Sequence, residues 1–133
     1  MGRRIVMVAA ALLILGGLSF YTFRYQWPPD RGPRLSVPNG NAQQGCQAII
    51  QYGCGGCHEL DSVRKATGRV GPKLTDIREQ VYIAGVLANQ PDNMVRWLMD
   101  PKGAAPRTAM PDLDVTEQDA RNMAACLYDY PKR

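Results

Sequence analysis

Cys54-Gly55-Gly56-Cys57-His58 sets two thiols three residues apart with a histidine directly after the second. That spacing reads as a c-type haem attachment site. Each thiol can add to one vinyl group of a haem, and a helical turn brings both sulfurs to one side. The following imidazole then sits where it can bind the iron. Gly55 and Gly56 carry no side chain to obstruct the macrocycle and allow the backbone to bend.

Other uses of the same residues are weaker. A thioredoxin-like site wants a βαβ context, and no β-branched run precedes Cys54. A four-ligand zinc site needs a second pair of ligands. The chain offers only Cys46 and Cys126 besides, and His58 is its single histidine.

Working outward, 133 residues allow one domain. The composition is that of a globular protein, 45% hydrophobic and 21% charged, with two Phe and two Trp to fill a core. The net charge of +4 is uneven. Residues 1–35 hold five Arg and one acid, whereas residues 36–133 hold eleven bases and eleven acids. The basic excess therefore belongs to the N-terminus, and nothing supports nucleic-acid binding.

Ile5 to Phe23 is an uncharged run of nineteen residues. As a helix it would be about 28 Å long, near the hydrocarbon thickness of a bilayer. Arg3 and Arg4 precede it, and Tyr21, Tyr25 and Trp27 gather at its end, which predicts a transmembrane anchor with a cytoplasmic N-terminus. A cleaved signal peptide is the alternative. Segment length and the lack of a clean cleavage site favour the anchor. The expected organisation is an anchor over 1–25, a Pro-rich linker over 26–40 and a folded domain over 41–133. The expected location is a bacterial inner membrane, single-pass, with the domain in the periplasm or on an equivalent outer face.

Within the domain, Ala42–Tyr52 reads as a helix capped by Asn39 or Asn41. Glu59–Arg69 reads as a polar surface loop. Pro72 could accept a hydrogen bond from the second nitrogen of a ligating histidine; a plain Gly-Pro turn is the other reading. Tyr82–Leu87 suggests a short helix, and Pro91–Met99 a clearer one that Pro101 stops. Thr116 caps a last helix whose apolar face holds Ala120, Met123, Ala124, Leu127 and Tyr128. A six-coordinate haem needs a second iron ligand; no second histidine exists, which leaves a methionine or an open site. Met94, Met99 and Met123 lie on helix faces, where packing explains them. Met110 sits in the loop Pro106–Pro111 with no periodic reason to be apolar. It is the candidate ligand; a methionine sealing a loop over the core is the alternative.

From about Asn41 to Tyr130 the chain resembles the class I cytochrome c family. The features are CGGCH after a short helix, Gly71-Pro72, the Trp97–Pro101 helix end, the Thr108–Pro111 loop and a closing helix. The resemblance implies an all-α fold around one covalent haem, here preceded by the transmembrane helix. Cys54 and Cys57 would anchor the haem, His58 and Met110 would be its axial ligands, and the Pro72 carbonyl would meet the His58 ring. The Tyr82–Leu87 and Trp97–Pro101 stretches are similar to cytochrome c domains associated with terminal oxidases, and by that analogy Arg78, Tyr82 and Trp97 contact the cofactor. In the family the first and last helices cross near a glycine and an aromatic. Cys126 stands where the aromatic is usual and Cys46 follows Gly45, which suggests a disulfide; two buried free thiols are the other reading.

The expected function is a single-haem carrier in a membrane respiratory chain, delivering electrons to a terminal oxidase, and no enzyme in itself. Its partners would be the membrane through residues 5–23 and redox proteins, with no small-molecule substrate. A fixed haem subunit of a membrane dehydrogenase or respiratory complex is one alternative. A haem sensor or enzyme with an open iron position is another.

Overall fold

The computed structural model describes residues 2–26 and 35–129. The chain divides into two compact units, residues 1–32 and residues 33–133. The first contains one helix, α1 (Gly2–Gln26). Among the described residues no helix is long and apolar enough to cross a membrane, which overturns the expectation of a transmembrane anchor. Within α1, the Thr22 hydroxyl donates to the Ser19 carbonyl at 3.0 Å. The expected linker falls largely on residues 27–34, and Trp27 with it, outside the described residues.

The second unit begins ahead of the expected boundary. Val37 is buried, and Gly40 N–H donates to its carbonyl. Asn41 then caps α2 (Ala42–Gln51): its side-chain oxygen accepts from Gln44 N–H at 3.0 Å, satisfying one orphan donor of the first turn. At the other end of the chain, Asp119 N–H donates to the Thr116 hydroxyl and opens α5 (Glu117–Asp129).

These two helices cross, and the sequence there is built for close approach. A Cβ on Gly45 would overlap the backbone carbonyl of Asn122, so only glycine allows this separation. Cys46 and Cys126 are joined by a disulfide one residue further along α2. The buried Asn122 accepts from Asn41 N–H at 2.9 Å and donates to the Gln44 side chain, so its polarity is used. Ala48 and Ile49 of α2 and Met123, Ala124 and Leu127 of α5 are buried in the same core.

Between the helices the chain is not all helical, which corrects the expected fold class. Instead of a helix over Tyr82–Leu87, β1 (Tyr82–Ile83) pairs antiparallel with β2 (Leu87–Ala88). The turn residues Ala84 and Gly85 have φ of 49° and 74°, and Val86 N–H donates to the Ile83 carbonyl. Two left-handed residues in succession suit the right-handed twist of a hairpin and cannot continue a helix. Ile83, 2% exposed, anchors the hairpin in the core. Asn89 follows and works as a hub: its amide donates to the carbonyls of Ile77 and Gln80, and its oxygen accepts from Tyr128 at 2.6 Å.

The helix α3 (Pro91–Met99) turns Met94, Val95, Trp97 and Leu98 inward. Pro101 ends α3 as expected, but it also starts α4 (Pro101–Ala104). A proline at the first helical position gives up an N–H that would be unpaired anyway, and Asp100 caps the turn by accepting from Gly103 N–H at 2.6 Å.

Candidate functional site

The CGGCH segment leaves the end of α2 through a left-handed Gly53 (φ 72°), whose N–H donates to Ile50. A single 3-10 turn, Cys54–Gly56, follows. Cys57 N–H and His58 N–H both donate to the Cys54 carbonyl, at 3.1 and 3.0 Å. The turn thus places Cys54, Cys57 and His58 on consecutive bends of one short segment. Cys54 is half-buried and Cys57 exposed. Burial pushes the Cys54 thiol above its usual range, more than its backbone hydrogen bond lowers it.

The loop that follows doubles back over this turn. Leu60 N–H and Val63 N–H bond within it, Gly68 N–H donates to Gly55, and Val70 and Gly71 N–H both reach the Cys57 carbonyl, at 3.0 and 2.8 Å. The chain then delivers Pro72 beneath His58: the imidazole Nδ1 lies 2.8 Å from the Pro72 carbonyl. A carbonyl can only accept, so Nδ1 carries the proton and Nε2 keeps a free lone pair, the arrangement of a ring prepared to ligate a metal. A Cβ on Gly71 would overlap that ring, so Gly71 is a site residue. Its signal in the sequence was its place before Pro72. Lys73 closes the loop with ion pairs to Glu59 and Asp61, and the hydrogen bond it donates to Glu59 raises the Lys73 ammonium above its usual range.

The remaining candidates lie on other elements. Met110 is partly buried against the core, and its N–H donates to the Thr108 hydroxyl, which fixes the loop it occupies. Trp97 is a core residue of α3. Tyr82, 59% exposed, stands on the outside of the hairpin. Arg78 donates to the Tyr128 carbonyl at 3.4 Å and so is turned toward α5. Sequence reasoning missed Asn89 and Asn122, because an asparagine that bonds residues far along the chain has no local pattern that separates it from a solvated one.

With this geometry in view, comparison with known proteins points one way. The chain is similar to cytochrome c oxidase subunit 2. It is 33% identical to that of Alkalihalophilus pseudofirmus over 87 residues, 65% of this chain and 25% of the relative. It is 31% identical to that of Bacillus subtilis over 97 residues, 68% of this chain and 26% of the relative. With that of Bacillus sp. PS3 the figure is 35% over 66 residues, 48% and 18%. The chain thus spans about a quarter or less of the length of the curated relatives it matches. No family model and no solved structure matches it.

Two expectations are corrected by these findings. The reading of the chain as no enzyme is overturned by relatives named as subunits of an oxidase. The expectation of one haem held covalently through Cys54 and Cys57 does not stand either. The relatives are named as cytochrome c oxidase subunit 2, and among the described residues no three or more His, Cys, Asp or Glu stand together as a metal-holding group.

Proposed function

We propose that residues 35–129 form an electron-transfer domain of class I c-type cytochrome design, acting with or within a respiratory terminal oxidase. His58 and Met110 would hold its redox metal, with Arg78, Tyr82 and Trp97 in the walls around it. The observation that carries this reading is the His58 ring, with Nδ1–H bound to the Pro72 carbonyl and Nε2 left free. The carbonyl fixes the tautomer and raises the basicity of Nε2. The similarity to an oxidase subunit favours a terminal oxidase over a dehydrogenase as the partner.

A metal held by His58 and Met110 would supply one-electron chemistry, and the protein would keep the surroundings of those ligands the same before and after. His58 is fixed by Pro72 and Gly71, and Met110 by the Thr108 bond in its loop. Ligands held in this way need little rearrangement when the charge changes. The domain works outside the cytoplasm, a placement supported by the Cys46–Cys126 disulfide, which an oxidising compartment maintains.

Metal analysis and a visible spectrum of the full chain test the proposal. His58→Ala should lose the metal, and Met110→Ala should keep it with a changed spectrum and potential. A chain that carries no redox metal when purified from its own cells would sink the proposal, as would metal retained unchanged in both variants.

A further inference from the structure

The residues from His58 onward and those from Pro72 onward are matched in one register. His58 Nδ1 meets the Pro72 carbonyl at 2.8 Å, the Lys73 ammonium donates to the Glu59 carboxylate at 2.8 Å, and Asp61 N–H donates to the Thr75 hydroxyl at 3.0 Å. Each pair is 14 residues apart in sequence. The backbone keeps the same course: Gly71 N–H reaches the Cys57 carbonyl and Leu74 N–H the Glu59 carbonyl, both at 2.8 Å. Lys73 also reaches Asp61 at 3.2 Å, so one ammonium is shared by two carboxylates. Leu60, between those two acids, is buried, and its N–H donates to the Ala66 carbonyl. The carboxylates are therefore carried on a fixed stretch of chain.

The weak rung of this register is the one that matters most. The carbonyl facing His58 belongs to the planar peptide unit between Pro72 and Lys73, so its place is set by where those two residues sit. Pro72 has no N–H by which to be tied, and its carbonyl is already used on the ring. Lys73 is the other end of the unit. Its side chain ties that end to Glu59, the residue directly after His58. An exposed ion pair alone contributes little to overall stability. Here the neighbouring backbone bonds already hold the register, and the ammonium has only to keep one peptide unit from lifting.

From the juxtaposition of the shared Lys73 ammonium and the His58–Pro72 bond, we propose that Lys73, clamped by Glu59 and Asp61, is a positioning residue that keeps the Pro72 carbonyl on His58 Nδ1. The inference rests on the reading of His58 as a ligand and adds what sets its orientation. With the clamp closed, the proton stays on Nδ1 and Nε2 stays available. With the clamp broken, the unit between Pro72 and Lys73 lifts more often. The ring is then released, and either nitrogen can carry the proton.

The test is NMR of the isotopically labelled full chain as purified, under ascorbate so that a redox metal stays in one state, with metal analysis alongside. The His58 ring N–H should be protected from exchange with water in the wild type. Lys73→Met should speed that exchange about tenfold and move the ring proton to lower chemical shift. Glu59→Gln with Asp61→Asn should do the same. The two changes alter the local charge in opposite senses, so a field effect alone would move the proton in opposite directions. Lys73→Arg can still bridge two carboxylates and should restore the wild-type signal. The urea midpoint should move little throughout, because the ion pairs are exposed. Wild-type exchange in both clamp variants overturns the proposal. So does faster exchange that comes only with an equal fall in global stability, or a proton that shifts in opposite directions in the two variants. A chain without a redox metal sinks the ligand reading, and the exchange and shift then uphold or overturn the clamp by themselves.

Discussion

The crossing of α2 and α5 and the turn at His58 lie on either side of Gly53, yet they are built on opposite plans. At the crossing, side chains do the holding: a disulfide, a glycine against a carbonyl, and a buried asparagine with several partners. At the turn, backbone amides hold the chain, through Gly68, Val70, Gly71 and the Cys54 carbonyl. The first plan spends side chains on stability. The second leaves Cys54, Cys57 and His58 available for chemistry.

If that contrast is right, damage at the crossing should cost stability and damage at the turn should cost function. The largest effect is expected from replacing Cys46 and Cys126 with alanine. The bridge spans 80 residues of sequence, and its loss should lower unfolding stability by about 2–4 kcal/mol in urea titration. An unchanged midpoint would mean that packing alone holds the helices. Next, Asn122→Ala should cost about 1–3 kcal/mol, because Asn41 N–H loses its buried acceptor. At the turn, Gly71→Ala should behave differently: the added methyl displaces the imidazole, lowering metal affinity about 10–100-fold while the urea midpoint moves little. A Gly71→Ala chain that unfolds early but binds metal normally would erase the distinction between the two regions.

The smallest effect is a pH dependence. Burial raises the Tyr128 phenol above its usual value. The unfolded chain then releases this proton first, near pH 10, so the folded state loses stability as pH climbs beyond about 10 and is unaffected below. Tyr128→Phe should remove that alkaline slope, although it also removes the bond to Asn89. Unfolding titrations at pH 8 and 11 would read it.

How much of this could be read from residues alone depended on the range of the forces. The Asn41 cap, the Thr116 start and the apolar face of α5 were legible, because capping and helical periodicity act within a turn or two. Tyr82–Leu87 was misread as helix. Ala84-Gly85 is a weak hairpin signal beside Asn-Gly, and the strands are two residues each, too short to show alternation. Pro101 was read as a stop, which is half its role; the Asp100 cap that makes it a start depends on Gly103. In the candidate site, the short link from His58 to Pro72 was within reach of motif reasoning. The direction of Arg78 was not, since Tyr128 lies 50 residues away.

Asn89 has a consequence for how this protein can vary. It holds the 77–80 segment by the carbonyls of Ile77 and Gln80, groups that every amino acid supplies. Its hold on that segment therefore does not depend on which side chains the segment carries. The burden of inheritance falls on one residue instead, and a library of substitutions should find position 80 permissive and position 89 nearly invariant.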